Sequence, residues 1–325
     1  MTDPNTKAEI TPFIPTWWGR SGTLQTILSS IWPQPNTALP GSHMEIPLTD
    51  GDRILCKVDR PHSWKSGDPF YLIVHGLTGS SESLCVSRLT EALFLAGKMC
   101  IRMNLRGCGD GEGLAHQVSH CGRSADVHEV CTQLHKTFPG SPLHLVGFSK
   151  GGNIALKAGA EISDKPDFPI TTCIAICPPI DLEACVRYLG EPQRCWIDQY
   201  FVTKLKRSTQ RHHHRFPELG TVHFARKMSL YDFDDCYTAP QCGFDNAHDY
   251  YQQSSAKKVL HNCARPTLIV AAKDDPCIPL KIFDEIPYHP LLRLTLSEYG
   301  GHIAFVGQNK GQNWLANLVL QWSAS

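Results

Sequence analysis

The chain has 325 residues, of which 42% are hydrophobic and 19% are charged. Lysine and arginine total 31, as do aspartate and glutamate, so the formal net charge is zero with neutral histidine. This composition predicts a globular protein with a large core and excludes disorder, collagen and coiled coils. Because the basic excess typical of nucleic-acid-binding proteins is missing, we expect no nucleic-acid partner.

The sequence predicts neither a membrane span nor an export signal. Residues 1–9 are polar and lack the apolar stretch of a signal peptide. No apolar run approaches the roughly 18 residues that cross a bilayer. We therefore expect a cytoplasmic protein without integral membrane association.

The 14 cysteines form no Cys-x-x-Cys pair, and many lie within apolar runs. We expect reduced cysteines that pack in the core as small hydrophobic side chains. A disulfide framework or a zinc site is the alternative interpretation.

Residues 1–43, rich in proline, tryptophan and threonine, predict an irregular N-terminal arm that packs its aromatic side chains onto the rest of the protein. Two strands then flank Asp50-Gly51, a typical hairpin turn. Apolar strands alternate with helices over most of the remaining chain, which predicts an α/β protein with a mostly parallel sheet. Residues 180–262 are instead helical or irregular, and we expect an insertion over one end of the sheet.

The predicted elements follow from hydrophobic periodicity and from glycine and proline breaks. The predicted strands are Met44–Leu48, Arg53–Val58, Phe70–Val74, Lys98–Met103, Leu143–Val146, Thr171–Cys177, Pro266–Ala272 and Leu291–Leu296. The predicted helices are Ser83–Gly97, Ala125–Phe138, Ser149–Ile162, Lys281–Ile286 and Asn309–Trp322.

The strongest local motif is Gly147-Phe148-Ser149-Lys150-Gly151, which follows an apolar strand and opens a helix. In that context, G-x-S-x-G predicts a nucleophilic serine on a sharp strand-to-helix turn. The two outer glycines leave room where side chains would collide across the turn. A glycine-rich turn that binds a phosphate, or has no chemical role, is the alternative.

A nucleophilic serine needs a base, and the base needs an acid that orients it. Asp274 and Asp275 directly follow the buried strand Pro266–Ala272, and His302 lies on a Gly-Gly loop after the last strand. Serine, acid and histidine occur in this order in α/β-hydrolase sheets. We favour Asp275 as the acid, because a turn leading into the next helix follows it, and we keep Asp274 as the alternative.

An oxyanion hole needs backbone N–H groups aimed at the developing negative charge. We expect one from Lys150, the residue after the serine. We expect the other from Leu77, in the loop His75-Gly76-Leu77-Thr78-Gly79 that follows an apolar strand. His75 itself is expected to brace this loop rather than to transfer a proton.

On these motifs the chain resembles the YheT-like hydrolases, a bacterial branch of the α/β-hydrolase superfamily related to the eukaryotic α/β-hydrolase domain-containing lipases and esterases. The shared motifs are Phe13-Ile14-Pro15, Leu24-Gln25-Thr26-Ile27, His75-Gly76-Leu77-Thr78-Gly79-Ser80, Asn104-Leu105-Arg106-Gly107-Cys108-Gly109, Gly147-Phe148-Ser149-Lys150-Gly151-Gly152-Asn153, Asp249-Tyr250-Tyr251, Ala272-Lys273-Asp274-Asp275-Pro276 and Gly300-Gly301-His302.

The resemblance implies an α/β-hydrolase fold, and we expect it over residues 44–325 with a helical cap at about 180–262. It further implies a serine hydrolase without a cofactor, acting on carboxylic esters of short or medium acyl chains or on glycerolipid-type substrates. Lys150 stands where relatives often carry leucine or methionine, and we expect its side chain to point away from the site.

Three other features carry weaker signals. Residues 106–111 resemble a glycine-rich nucleotide loop, but no helix opens directly after them, so we expect a structural loop and no bound dinucleotide. Residues 211–215 include three consecutive histidines without cysteine or acid partners at ligand spacing, so we expect a solvated basic stretch and no metal site. The aromatic segment Tyr188–Phe201 either lines an acyl pocket or forms helix core.

The sequence therefore predicts an ester hydrolase in which Ser149 attacks the acyl carbonyl, His302 transfers the proton and Asp275 orients the imidazole. The expected partner is a small-molecule ester or a lipid-like substrate. Two alternatives stay open. One is a thioesterase, amidase or acyltransferase with the same triad, and the other is a hydrolase-fold protein that binds a lipid or small ester without turnover.

Overall fold

The computed structural model of the chain describes residues 11–31, 35, 37–307 and 313–324. Its centre is an eight-stranded sheet in the order β1-β2-β4-β3-β5-β6-β7-β8. β1 and β2 form an antiparallel hairpin, β2 is antiparallel to β4, and all other neighbours are parallel. The strands are β1 (Ser42–Pro47), β2 (Arg53–Asp59), β3 (Phe70–Val74), β4 (Met99–Met103), β5 (Leu143–Phe148), β6 (Ile170–Ile176), β7 (Thr267–Ala272) and β8 (Leu292–Ser297).

Helices cover both faces of this sheet. The helices are α1 (Gly22–Ser29), α2 (Leu84–Leu95), α3 (Ser124–Thr137), α4 (Lys150–Ala160), α5 (Leu182–Leu189), α6 (Cys195–Arg215), α7 (Leu230–Phe233), α8 (Ala239–Gln241), α9 (Ala247–Ser254) and α10 (Trp314–Ser323). α2 and α10 pack on one face, and α3 and α4 pack on the other. β3, β4, β5 and β7 are consequently buried along their whole lengths, which explains their mainly apolar sequences, although β4 and β5 also bury Arg102 and His144. The predicted α/β fold with a mostly parallel sheet is confirmed.

Residues 182–262, here called the helical insertion, connect β6 to β7. They contain α5 to α9 and short 3₁₀ and π turns, with no strand among them. Their buried side chains form one apolar cluster with residues of β7 and of α4. The insertion therefore packs against α4 and against the neighbouring strands β6 and β7.

Two predictions about local structure are wrong. The expected helix at Lys281–Ile286 is only a 3₁₀ turn, Leu280–Phe283, because Pro279 and Pro287 bracket a segment too short for an α-helix. The N-terminal arm is not wholly irregular, since it contains a 3₁₀ turn and the helix α1, whose first turn is capped by the Ser21 side chain.

The C-terminal helix, the cysteines and the hydropathy of the helices were also predicted from the sequence. α10 begins after Asn313, whose side chain caps it, while residues 1–9 and 309–312 lie outside the described residues. All 14 cysteines fall within the described ranges and are free; eight are buried in the core as expected, whereas Cys195 and Cys236 are exposed. Among the described helices, none combines the length and the hydropathy needed to cross a bilayer.

The glycine-rich loop after β4 is organised by a buried arginine. Arg106 donates two hydrogen bonds to Asp126, at 2.7 and 2.8 Å, and another to the Asp52 carboxylate. It also forms an ion pair with Asp50 at 2.7 Å. These bonds tie the loop to the β1–β2 turn and to α3, which is the structural role expected for this segment.

Replacing Arg106 with methionine should lower the free energy of unfolding by about 3–5 kcal/mol, because Asp52 and Asp126 would lose their buried cation and Asp126 would keep only Arg123, at 3.8 Å. Urea denaturation measures the loss. Arg207→Met, at an exposed position on α6, is the control and should change the free energy by less than about 0.5 kcal/mol. Equal effects of the two variants would contradict the proposed organising role of Arg106.

Candidate active site

Ser149 occupies the sharp turn between β5 and α4. Its backbone has φ 50° and ψ −118°, a conformation that non-glycine residues rarely adopt. The flanking glycines have no space for a side chain. A Cβ at Gly147 would lie 2.1 Å from the Gly151 carbonyl oxygen, and one at Gly151 would lie 2.4 Å from the Val74 carbonyl oxygen. The backbone contacts across the turn therefore require both glycines of the G-x-S-x-G motif.

The structure brings Ser149, His302 and Asp275 into one hydrogen-bonded line. His302 Nε2 lies 2.8 Å from Ser149 Oγ, and Nδ1 lies 2.9 Å from Asp275 Oδ2. The carboxylate can accept only, so Nδ1 carries the proton and Nε2 is the acceptor for the serine hydroxyl. This arrangement suits transfer of the serine proton to the imidazole.

Asp275 and Asp274 occupy different positions despite being neighbours. Asp275 Oδ1 accepts from the N–H groups of Cys277 and Ile278, at 2.7 and 3.1 Å, which leaves Oδ2 for the imidazole. Asp274 Oδ1 instead accepts from Gly301 N–H at 2.9 Å. Asp275 therefore contacts the ring of His302, whereas Asp274 holds the loop that carries it.

The loop after β3 lies directly over the serine. A Cβ at Gly76 would lie 3.2 Å from the Ser149 Cβ. Leu77 and Lys150 line the same cavity as Ser149 and His302. Among the described residues, neither the Leu77 nor the Lys150 N–H group makes a backbone hydrogen bond outside the regular helices and strands. The two N–H groups therefore stay the predicted donors to an oxygen atom bound beside Ser149 Oγ.

His75 connects two loops beneath this site. Its Nδ1 bonds the Gly76 carbonyl oxygen at 2.8 Å, and its Nε2 accepts from Leu105 N–H at 3.0 Å. Burial lowers the pKa of His75 to about 4, so the ring is neutral at physiological pH. Both ring nitrogens are therefore occupied by structural bonds, in agreement with the expected bracing role.

A cavity of about 750 Å³, including its open mouth, extends from Ser149 under the helical insertion. Its wall is mainly apolar. The apolar side chains from α5 and α6 are Leu182, Val186, Leu189, Phe201 and Leu205. Of the aromatic segment Tyr188–Phe201, Phe201 lines this cavity, whereas Trp196 is 48% exposed. The segment thus contributes to the cavity only in part.

The cavity wall has a polar region, here called the polar end, which includes Lys150, the residue after Ser149. The Lys150 ammonium is buried and donates to the carbonyl and hydroxyl oxygens of Ser119, at 3.1 and 2.9 Å. Ser119 lines the cavity. The expectation that this side chain points away from the site is therefore wrong, because Ser119 holds the ammonium at the cavity wall. The leucine or methionine found in relatives could not make these bonds. The lysine at position 150 is therefore the feature of this sequence that indicates a polar cavity wall.

The polar end also contains a carboxyl group that the sequence analysis missed. Asp234 lies in a π-helical turn, Asp234–Thr238, and accepts hydrogen bonds from Thr238 Oγ1 at 2.7 Å and Tyr251 Oη at 2.8 Å. Burial raises the pKa of Asp234 to about 6, while the positive charge of Lys150 opposes the shift. Besides Lys150, the motif Asp249-Tyr250-Tyr251 in the sequence marks residues near this group, since Tyr251 bonds to it.

The described residues contain one cluster with metal-ligand geometry, formed by Cys177, Asp275 and His302. His302 Nδ1 is already bonded to Asp275. Burial raises the pKa of the Cys177 thiol well above its usual value, and a metal ligand must be a thiolate. Cys177 is therefore better interpreted as a protonated thiol packed beneath His302 than as a metal ligand.

The side chains of the histidine run at residues 211–215 contact different partners. His213 bonds the Gly220 carbonyl and the Tyr237 hydroxyl, and His212 bonds the His116 carbonyl. Arg211 pairs with Glu112 at 2.8 Å. These contacts attach α6 to neighbouring loops, so the run is less solvated than expected.

Comparison with known proteins identifies the family. The profile of the alpha/beta hydrolase fold matches residues 71–306. The chain is 29% identical over 99% of its length to YheT of Escherichia coli (strain K12), which bears a provisional esterase name, and the match covers 95% of that protein. The chain therefore belongs to the α/β-hydrolase family, and the resemblance to its YheT-like branch is confirmed.

Two further similarities extend this result. Human phospholipase ABHD3 is 25% identical over 90% of this chain and 73% of its own length. The solved structure of the esterase Pf2001 from Pyrococcus furiosus has a TM-score of 0.60, with 14% identity, and covers 98% of this chain and 99% of that one. Because its identity is only 14%, the similarity to the Pf2001 esterase supports the fold alone.

Replacing Asp234 with asparagine should change how stability depends on pH. The pKa of Asp234 is raised in the folded state, so the native carboxyl stabilises the protein below about pH 4, and this stabilisation is lost as pH rises towards about 6. Relative to the native protein, Asp234→Asn should therefore gain about 2–3 kcal/mol between pH 4 and 7.

Urea denaturation at successive pH values measures the difference between the two proteins. Asp284→Asn, at an exposed position, is the matched control and should show no such trend. A difference for Asp234→Asn that stays constant from pH 4 to 7 would mean that burial does not raise this pKa.

Proposed function

We propose that the protein is a serine hydrolase that cleaves carboxylic esters, with Ser149 as nucleophile, His302 as base and acid, and Asp275 as the orienting carboxylate. The observation that carries the proposal is the hydrogen-bonded line from Ser149 Oγ through His302 to Asp275, at the inner end of a mainly apolar cavity. The esterase and lipase names of several relatives support the same reaction class.

In the first half of the reaction, Ser149 Oγ attacks the acyl carbon and its proton moves to His302 Nε2. The backbone N–H groups of Leu77 and Lys150 donate to the oxyanion. Collapse of the tetrahedral intermediate breaks the bond to the alcohol oxygen, which receives the proton from His302. The product of this half is an acyl ester on Ser149.

In the second half, water takes the place of the alcohol. His302 Nε2 removes a proton from the water as its oxygen attacks the acyl carbon, and then returns the proton to Ser149 Oγ. Asp275 keeps the proton of the resting ring on Nδ1 and stabilises the imidazolium that forms twice in each cycle. The Cys277 and Ile278 N–H groups hold the carboxylate in the position this role requires.

We also propose that the helical insertion serves as a cap and holds the acyl chain. The apolar side chains of α5 and α6 face the cavity that begins at Ser149. Burial of an acyl chain there would contribute about 0.8 kcal/mol per methylene group. Esters with short or medium acyl chains, including small lipids, are the substrates that fit this wall.

The proposal is tested by labelling with a fluorescent fluorophosphonate, followed by hydrolysis of p-nitrophenyl esters from acetate to dodecanoate. We expect labelling and turnover in the native protein and neither in Ser149→Ala. Stoichiometric binding of acyl ligands without product release would favour the binding-protein alternative. Faster turnover of thioesters or amides than of esters with the same acyl chain would favour the other enzymes.

The two neighbouring aspartates should differ sharply in their effect on turnover. Asp275→Asn should lower kcat by about 10⁴-fold, because the amide no longer holds the imidazole in the required tautomer. Asp274→Asn should lower kcat by less than about tenfold, since its amide oxygen can still accept from Gly301 N–H. Burial raises the pKa of Asp274, so a neutral side chain suits this position.

Steady-state kinetics with p-nitrophenyl butyrate measures both variants. Thermal unfolding of each purified variant serves as the control for correct folding. A larger loss of kcat for Asp274→Asn than for Asp275→Asn would reverse the assignment.

A further inference from the structure

The N-terminal arm packs against the loop that carries His302, although nearly the whole chain separates them. Pro15 forms a β-bridge with Gly307. Phe13 is buried against Phe305 and Trp314, with ring centroids 5.5 and 5.3 Å away. The arm therefore extends along the segment that follows the histidine.

The closest link between arm and histidine is made by Thr26 on α1. Its hydroxyl oxygen accepts from the backbone N–H of His302 at 2.8 Å and donates to the Gly22 carbonyl oxygen at 2.7 Å. The hydroxyl thus joins the backbone of the histidine to the first turn of α1. A side chain without a hydroxyl at position 26 would leave the His302 N–H without this acceptor.

Gln25, the preceding residue, holds the far side of the same loop. Its side chain is fully buried, and its Oε1 accepts from Val306 N–H at 3.0 Å while its Nε2 donates to the Gly19 carbonyl oxygen at 2.6 Å. Together with Thr26, it fixes both ends of residues 302–306. These bonds explain the structural use of the Leu24-Gln25-Thr26-Ile27 motif.

The start of α1 also approaches the backbone of both loops of the site. A Cβ at Gly22 would lie 1.7 Å from the Asp274 carbonyl oxygen, and a Cβ at Gly301 would lie 2.6 Å from the Gly22 carbonyl oxygen. The start of α1 therefore packs against both the acid loop and the histidine loop. No side chain could be accommodated at either contact without moving one of them.

The histidine loop needs such support because its backbone is strained. Ile303 and Phe305 both have positive φ, at 57° and 43°. Each such residue costs about 1–3 kcal/mol and persists only where the surroundings hold it in place. The bonds from Thr26 and Gln25 to this loop are among the contacts that do so.

We propose that Thr26 and Gln25 are positioning residues, which hold the His302 loop so that the imidazole reaches Ser149 and Asp275 together. The N-terminal arm would then be a part of the catalytic machinery without touching the substrate. This inference rests on the proposed function of Ser149 and His302. A displacement of the imidazole by about 1 Å is enough to lower turnover about a hundredfold.

The test compares variants at position 26 with a matched position on the same helix. Thr26→Val and Thr26→Ala remove the hydroxyl, Thr26→Ser retains it, and Thr23→Val alters an exposed threonine of α1. We expect Thr26→Val and Thr26→Ala to lower kcat about 10- to 100-fold on p-nitrophenyl butyrate, with KM changed less than about threefold. Thr26→Ser should stay within about threefold of the native kcat, and Thr23→Val should match it.

The rate per folded molecule separates positioning from a loss of stability. In Thr26→Ala, kcat should stay reduced at a temperature where thermal unfolding shows the variant to be fully folded, because the imidazole is displaced in every molecule. A variant that is only less stable would recover the native kcat once its rate is divided by its folded fraction. Thr26→Ala retains the test if Thr26→Val does not fold.

Three results would overturn the inference. They are a native kcat in Thr26→Ala, an equal loss in Thr26→Ser and Thr26→Ala, and a loss of rate in Thr26→Ala that disappears when the rate is divided by the folded fraction. Native activity in Ser149→Ala would instead overturn the proposed function itself. The two failures are therefore distinguishable.

Discussion

The strained backbone of Ser149 is the constraint on which the site depends. A serine at φ 50° is unfavourable by about 1–3 kcal/mol, so the surrounding structure must hold it there. Its N–H donates to the Ile176 carbonyl of β6 at 2.8 Å, and glycines on either side let the turn close. The turn directs the hydroxyl into the cavity and places the N-terminus of α4, with its positive partial charge, beside the Ser149 hydroxyl.

Much of this arrangement was predictable because it is encoded locally. The G-x-S-x-G motif with its preceding strand predicts the turn, and the order of Ser149, the aspartate pair and His302 follows the order of the strands. The choice between the two aspartates was not certain from sequence, because it depends on which backbone N–H groups each carboxylate meets. Cys277 and Ile278 bind Asp275, while Gly301 binds Asp274.

Features that arise from distant parts of the chain were the ones missed. Thr26 contacts His302 across 276 positions of sequence, and no local pattern reports such a bond. The helix α1 was overlooked because a short helix among prolines and tryptophans has little periodicity. Asp234 was missed because its burial depends on contacts between the helical insertion and α4, which are distant in sequence.

The cavity combines a long apolar wall with one charged end. Burial of Lys150 and Asp234 near each other is costly unless each finds partners, and Ser119, Thr238 and Tyr251 supply them. These bonds pair Lys150 and Asp234 with polar partners, and most of the other side chains that line the cavity are apolar. The proposed preference for apolar acyl chains rests on this wall.

The central claim is that Ser149 becomes acylated during turnover. The most direct measurement is to mix the protein with p-nitrophenyl butyrate, quench with acid within milliseconds to seconds, and determine the intact mass and the modified peptide. The account predicts a transient gain of one butyryl group on Ser149, absent in Ser149→Ala. Turnover without any acyl adduct, or an adduct on another residue, would contradict it.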